Sequence, residues 1–135
     1  MSVSTDLQAM IWRRLVADPT LAALVGGRVL DRAPAGTVFP YVSFGPSYAV
    51  PADGECIRAE VVTQQIDAWS QAQDGRREAL LIVDAIKAAL HGWEGDETVA
   101  ITPLSVILAQ VSDDPDGVSH HGIVQVEAIV EWADG

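Results

Sequence analysis

The sequence predicts an α+β fold: a single mainly antiparallel β-sheet of about four strands, packed by an N-terminal helix and one long central helix, with a long terminal hairpin. Three observations predict it. Apolar residues recur at helical spacing near the N-terminus and again between 74 and 91. Strand-like runs fall between and after these helices, in the order helix, strands, helix, strands. The last two runs flank Asp114-Pro115-Asp116-Gly117, a strong turn signal.

The elements follow in order. Thr5-Asp6-Leu7-Gln8 fits a capping box with Thr5 as N-cap. Leu7, Met10, Ile11 and Leu15 then give the stripe of an amphipathic helix over 5–17, with Trp12 off the stripe. Asp18-Pro19 opens a short second helix that ends at Gly26-Gly27. Val29-Leu30 begins an extended segment. Residues 39–44 read as a strand, and Pro40 puts its start at an edge or strand end because proline cannot donate to a ladder. Residues 45–58 contain two prolines and two glycines and read as a long loop.

Residues 61–69 form the next strand, with Val62, Ile66 and Ala68 on one face and Thr63, Gln65 and Asp67 on the other. Ser70 or Asp74 is expected to cap the long helix, whose stripe is Ala79, Ile82, Val83, Ile86, Ala89 and Leu90. Residues 93–96 make a turn. Residues 103–112 are apolar nearly throughout, which predicts a strand buried on both faces. Residues 118–132 alternate, with Val124, Val126, Ala128, Val130 and Trp132 facing one way and Gln125, Glu127 and Glu131 the other.

A chain of 135 residues reads as one domain over 1–135. Its single cysteine, Cys56, closes no internal disulfide, and no basic-then-apolar signal segment opens the sequence. Synthesis in the cytosol with no membrane association is the expectation. The net charge of −11 argues against ordinary nucleic-acid binding, which needs lysine and arginine to displace counterions. No Gly-x-Ser-x-Gly elbow and no phosphate-cradling glycine loop is present.

The chemically richest stretch is 112–122, where Asp113, Asp114, Asp116, His120 and His121 crowd together. As a calcium loop it fails: Gly117 comes too early, and His and Gly fill the later positions. As a zinc or iron site it is weakened by strand geometry, because adjacent His120 and His121 point to opposite faces. Asp-Pro-Asp-Gly is also what a tight turn wants, so the stretch reads as a turn. Of the four tryptophans, Trp69 and Trp132 read as core. Trp12 and Trp93 lie outside the apolar stripes and read as interface anchors.

Several runs together resemble the small tail-completion or tail-terminator family of long-tailed phages and gene transfer agents. They are Leu21-Ala22-Ala23-Leu24-Val25-Gly26-Gly27-Arg28-Val29, Phe39-Pro40-Tyr41-Val42 and Ile66-Asp67-Ala68-Trp69-Ser70. The others are Ala85-Ile86-Lys87-Ala88-Ala89-Leu90-His91, and Asp114-Pro115-Asp116-Gly117 with His121-Gly122. Their order covers nearly the whole chain. The resemblance implies a ring, commonly a hexamer, that caps the tail tube and joins it to the head. It implies no enzyme activity, no cofactor, no metal and no catalytic residue.

On this reading the partners are further copies of the chain, the tail tube protein and a head–tail connector or stopper protein. DNA passes through without specific binding. The location is the virion, at the head–tail joint, after assembly in the bacterial host cytoplasm. Self-association is expected to be weak in dilute solution. Interface candidates are Trp12, Phe39, Tyr41, Trp93, Asp114, Asp116, His120 and His121. The strand from Phe39 and the 112–122 hairpin are placed to extend a neighbouring sheet. Asp53, Glu55, Glu94, Asp96 and Glu97 are candidates for an acidic lumen that repels phosphates. The alternatives are a neighbouring connector protein, an assembly chaperone or host-side binding module, and a small metal-dependent enzyme using the 113–121 stretch.

Overall fold

The computed structural model describes residues 3–54, 58–99 and 101–131. Three helices pack on a five-stranded sheet: α1 (Val3–Ala17), α2 (Pro19–Val25), β1 (Val29–Leu30), β2 (Tyr41–Pro51), β3 (Ala59–Ser70), α3 (Arg77–Leu90), β4 (Ser105–Asp113) and β5 (His120–Glu131). The α+β class is as expected. The strand order is β1-β2-β3-β5-β4. All pairs are antiparallel except β1, whose two residues pair parallel with Val42 and Ser43 and add the strand that periodicity did not reveal.

The helical stripes make the core. Leu7, Met10, Ile11 and Leu15 of α1 join Ile82, Val83, Ile86, Ala89 and Leu90 of α3 against Val62, Ile66, Val124, Val126, Ala128 and Val130. All of these strand residues share one face of β3 and β5, as the alternation requires. α3 packs on β3, β4 and β5, while α1 packs on β1, α2 and α3. The helices therefore cover one face of the sheet. Among the described residues no helix is long and apolar enough to cross a membrane.

The helix ends divide. Asp18 caps α2 as its sequence implies, its carboxylate accepting from the Leu21 N–H at 2.9 Å. Gly26 closes that helix in the left-handed region at φ 61°, which glycine adopts without a Cβ penalty. Thr5, however, lies inside α1, because the helix already includes Val3. Neither Ser70 nor Asp74 caps α3. Arg76 holds the N-cap position without a capping side-chain bond, and the Ser70 hydroxyl instead donates to Glu78 in the first turn at 2.8 Å.

Two strand expectations are overturned. The expected 45–58 loop is half strand, since β2 runs on to Pro51 and pairs with β3 down to Glu60. A register shift between Phe44 and Ser47 absorbs Gly45 and Pro46, so residues that signal a break sit in a bulge. The strand at 103–112 is not buried on both faces. β4 is an edge strand and is exposed along most of its length, with Ile107 44% and Leu108 39% exposed. Its apolar side chains lack the second covering layer that the composition suggested. Trp69 also departs from expectation: it sits on the sheet face turned away from the helices. Trp132, Cys56 and Glu55 lie outside the described residues.

Candidate functional site

The 113–120 turn is held together by its own side chains. The Asp116 carboxylate accepts from the Val118 N–H at 2.8 Å, the Ser119 N–H at 2.7 Å and the Ser119 hydroxyl at 2.6 Å. The Ser119 hydroxyl, then the two backbone donors, hold the Asp116 carboxyl below the usual carboxylate range. Asp114 accepts from the Asp116 and Gly117 N–H groups, and Gly117 takes φ 74° to close the loop. Asp113 is bracketed by Arg76, at 3.1 and 3.3 Å, and by His120 Nδ1 at 3.0 Å. The Arg76 guanidinium first, then His120, lower its pKa. His120 Nε2 lies 3.2 Å from the Ala72 carbonyl, so both of its ring nitrogens are engaged.

His121 belongs to a second group, on the sheet face away from the helices. Its ring stacks on Trp69 at 3.9 Å and 6°. Trp69 stacks in turn on Tyr41 at 6.5 Å, and Phe39 lies 5.0 Å from Tyr41. His121 Nε2 is 2.7 Å from an Asp67 oxygen that also accepts from Gln65 at 2.9 Å, and Gln125 donates to Gln65 at 3.0 Å. Asp67 is only 7% exposed although no helix covers it. Gly45 makes room for it: a Cβ there would stand 2.5 Å from the Asp67 carboxylate. Burial first, and the Asp67 charge second, raise the Tyr41 pKa.

The strand thus separates the two histidines, as β geometry requires. Each has a protein partner of its own. Among the described residues no three His, Cys, Asp or Glu side chains are arranged to hold an ion. The arrangement offers a rigid aromatic–polar ladder and a locked turn.

The remaining candidates are dispersed. Trp12 is 43% exposed and donates from its indole to the Val29 carbonyl at 2.8 Å, which pins it beside β1. A groove of about 310 Å³ next to it is lined by Thr5, Gln8, Ala9, Trp12, Asp31 and Phe44. Trp93 is partly buried against the core, with the Arg14 guanidinium 4.8 Å over its ring. Asp53 lies in the β2–β3 connection and accepts from the Ala59 N–H at 3.0 Å. Glu94, Asp96 and Glu97 lie in the α3–β4 connection, where Asp96 bonds Thr98 and pairs with Arg13 of α1 at 3.3 Å. Thr98 is the main cause of its lowered pKa.

Sequence reasoning named the strand from Phe39 and the 112–122 hairpin as surfaces that extend a sheet, but missed the open edge along β4, which it expected to be buried on both faces. Among the described residues the outer edge of β2 beyond Ser43 has no strand partner, and Tyr48 and Val50 are exposed there. β4 leaves its outer edge open at the far side of the sheet. The signal was present as an apolar run without alternation, but such a run does not distinguish a doubly covered strand from an uncovered edge. All eight lysines and arginines lie on helices or connections, so no strand carries a cation.

Comparison with known proteins follows this geometry. The family model described as tail completion protein gp17 matches residues 9–131. A chain from the virion of a native gene transfer agent particle is 28% identical with a TM-score of 0.88, covering 97% of this chain and 98% of that one. A second solved chain, 17% identical with a TM-score of 0.59, covers 100% of this chain and 99% of its own and shares the fold. No curated protein matches the sequence.

Proposed function

From the premise that the chain belongs to the tail completion family, as the match over residues 9–131 shows, we propose that it forms a ring that caps the tail tube and joins it to the head. The observation that carries the reading is the near-complete fold match to a chain of a gene transfer agent virion. A structural role in the virion tail follows from the same two comparisons. The ring, its hexameric count and its partners (tail tube protein below, connector or stopper above) are the finer reading.

The geometry supports an assembly part over a catalyst. The titratable groups of 113–121 are spent on local bonds, and two sheet edges stay open. The absence of cations on the strands suits a passage for DNA, since no strand side chain gains from displacing phosphate counterions. The proposed acidic contributors to that passage are Asp53, Glu55, Glu94, Asp96 and Glu97. Assembly in the host cytoplasm completes the reading.

Particles produced without this chain test it. The expected result is tails of uncontrolled length or tails unjoined to heads, seen by electron microscopy. Normal, DNA-filled, joined particles overturn it.

A further inference from the structure

We infer that neighbouring copies join sheet to sheet: the outer edge of β4 in one copy pairs antiparallel with the open outer edge of β2 in the next. The inference rests on the ring reading and names the surface that would build it.

The first support is position. The two open edges lie at opposite ends of one sheet. A contact between them is therefore head to tail, the type that generates rings when the rotation closes. An isologous dimer would instead use the same edge twice.

The second is level. Following the ladder across the sheet, Ser47 is beside Gln64, Gln64 beside Val126, and Val126 beside Val106. Phe44 reaches Ala109 by the same path, through Ile66 and Val124, and Tyr48 reaches Ser105 through Thr63 and Glu127. Residues 44–48, the first part of the β2 stretch that β1 leaves unpaired, therefore stand level with residues 105–109 of β4, and residues 49–51 run past its start. Ile107 and Leu108 are exposed at that level on one edge, and Tyr48, at 58%, on the other. A long apolar edge without charge or proline is a liability unless something pairs with it. β4 has neither between Ser105 and Ser112.

The third is direction. β4 runs antiparallel to β5, β5 to β3, and β3 to β2. β4 and β2 are therefore antiparallel. A copy rotated about an axis along the strands keeps its direction, so its β2 meets β4 antiparallel.

The fourth is charge. The Asp113 end of β4, with Asp114 and Asp116 beyond it, is level with Ser70 and so with Pro40 beyond the start of β2. The Pro40 carbonyl accepts from Arg28 at 2.9 Å, so a cation on one edge stands level with the acidic turn on the other.

Cross-linking of the full chain tests the pairing. In a Cys56→Ser background, Ser47→Cys is mixed with each of Ser105→Cys, Val106→Cys, Ile107→Cys, Leu108→Cys and Ala109→Cys, with and without tail tubes. The scan allows for the stagger a closed sheet requires. Cα atoms opposite each other in an antiparallel pair lie about 4.5–5.5 Å apart, within disulfide reach. Covalent dimers should form in a mixture and not from either chain alone, peaking at one β4 position. A chain carrying both cysteines should give a ladder ending at the ring number.

Equal dimer yield from a β4 cysteine alone overturns the head-to-tail pairing. Rings visible by electron microscopy with no cross-link at any position overturn the edge pairing and leave the ring reading standing. No rings and no cross-links overturn both. Ile107→Lys supplies the second measurement: an unchanged circular dichroism spectrum with at least tenfold less cross-linking supports the pairing, and undiminished rings overturn it.

Discussion

The β4–β5 turn and the β4 strand adjoin at Asp113 and are opposites. The turn has three carboxylates and a histidine, and each of these side chains has a partner within the turn or on the neighbouring connection. The strand has almost no titratable chemistry, yet among the described residues its outer backbone groups lack a strand partner, and Ile107 and Leu108 face solvent while Val106 and Val111 pack on the core. Chemical richness marks the part that is finished within the chain. Chemical plainness marks the part that the chain itself leaves open. The difference teaches where to look for function in an assembly protein: at unpaired backbone before titratable side chains.

The largest test of this contrast strikes the point where turn, strand and helix layer meet. A Cβ on Gly122 would stand 2.5 Å from Val83 Cγ2 and 3.2 Å from the Ala68 Cβ. Gly122→Val is expected to cost about 3 kcal/mol through overpacking, read by chemical denaturation. An unchanged midpoint would mean that α3 does not fix the hairpin against the sheet. Next comes His121→Ala. It strips a stacking partner from Trp69 and leaves the buried Asp67 with Gln65 alone. The expected loss is about 2 kcal/mol. His121→Gln should recover part of it by restoring a donor toward Asp67.

A smaller effect depends on pH. Asp113 and Asp116 both have folded-state pKa values lowered by their partners. Stability from such groups is fully present above the ordinary carboxylate value of about 4, and is lost as pH falls through the lowered folded values. Asp116→Asn should therefore lower stability near neutral pH, where this contribution is fully present, and flatten the acid limb, so that variant and parent converge at low pH. A steeper acid limb in the variant would break the idea that the turn is closed by its own carboxylates.

Much of the fold was legible because it follows local periodicity. The α1 and α3 stripes, the Asp18-Pro19 start and Gly26 end of α2, and the alternation of β5 all reappear in the structure. What stayed hidden depends on distant pairing. β1 exists because two residues find Val42 and Ser43, and β2 continues past Gly45-Pro46 because β3 holds it across a bulge. The His121–Asp67 contact joins residues 54 apart in sequence, so only the β3–β5 register brings them together. The split of His120 from His121 was legible, since it needs only the strand period of two. The exposure of β4 was not, because an apolar run looks the same whether its covering layer belongs to the same chain or to the next.

The smallest effect on folding is the most informative one. Ile107 sits at the β4 register shift between Val106 and Leu108 and has no ladder partner on β5. It is nearly half exposed in a single copy. Ile107→Lys keeps an apolar stem over the covered part of the site, puts its ammonium at the open edge and leaves no polar group unpaired, so the expected change in stability is within about 1 kcal/mol. Edge lysines are nevertheless a common means of blocking strand addition, because a neighbour must desolvate the ammonium to pair there. A thermal midpoint that barely moves, with assembly lost, would separate folding from joining at one residue. If instead the midpoint falls as far as for His121→Ala, β4 is already covered within its own chain, and the contrast between a closed turn and an open strand collapses.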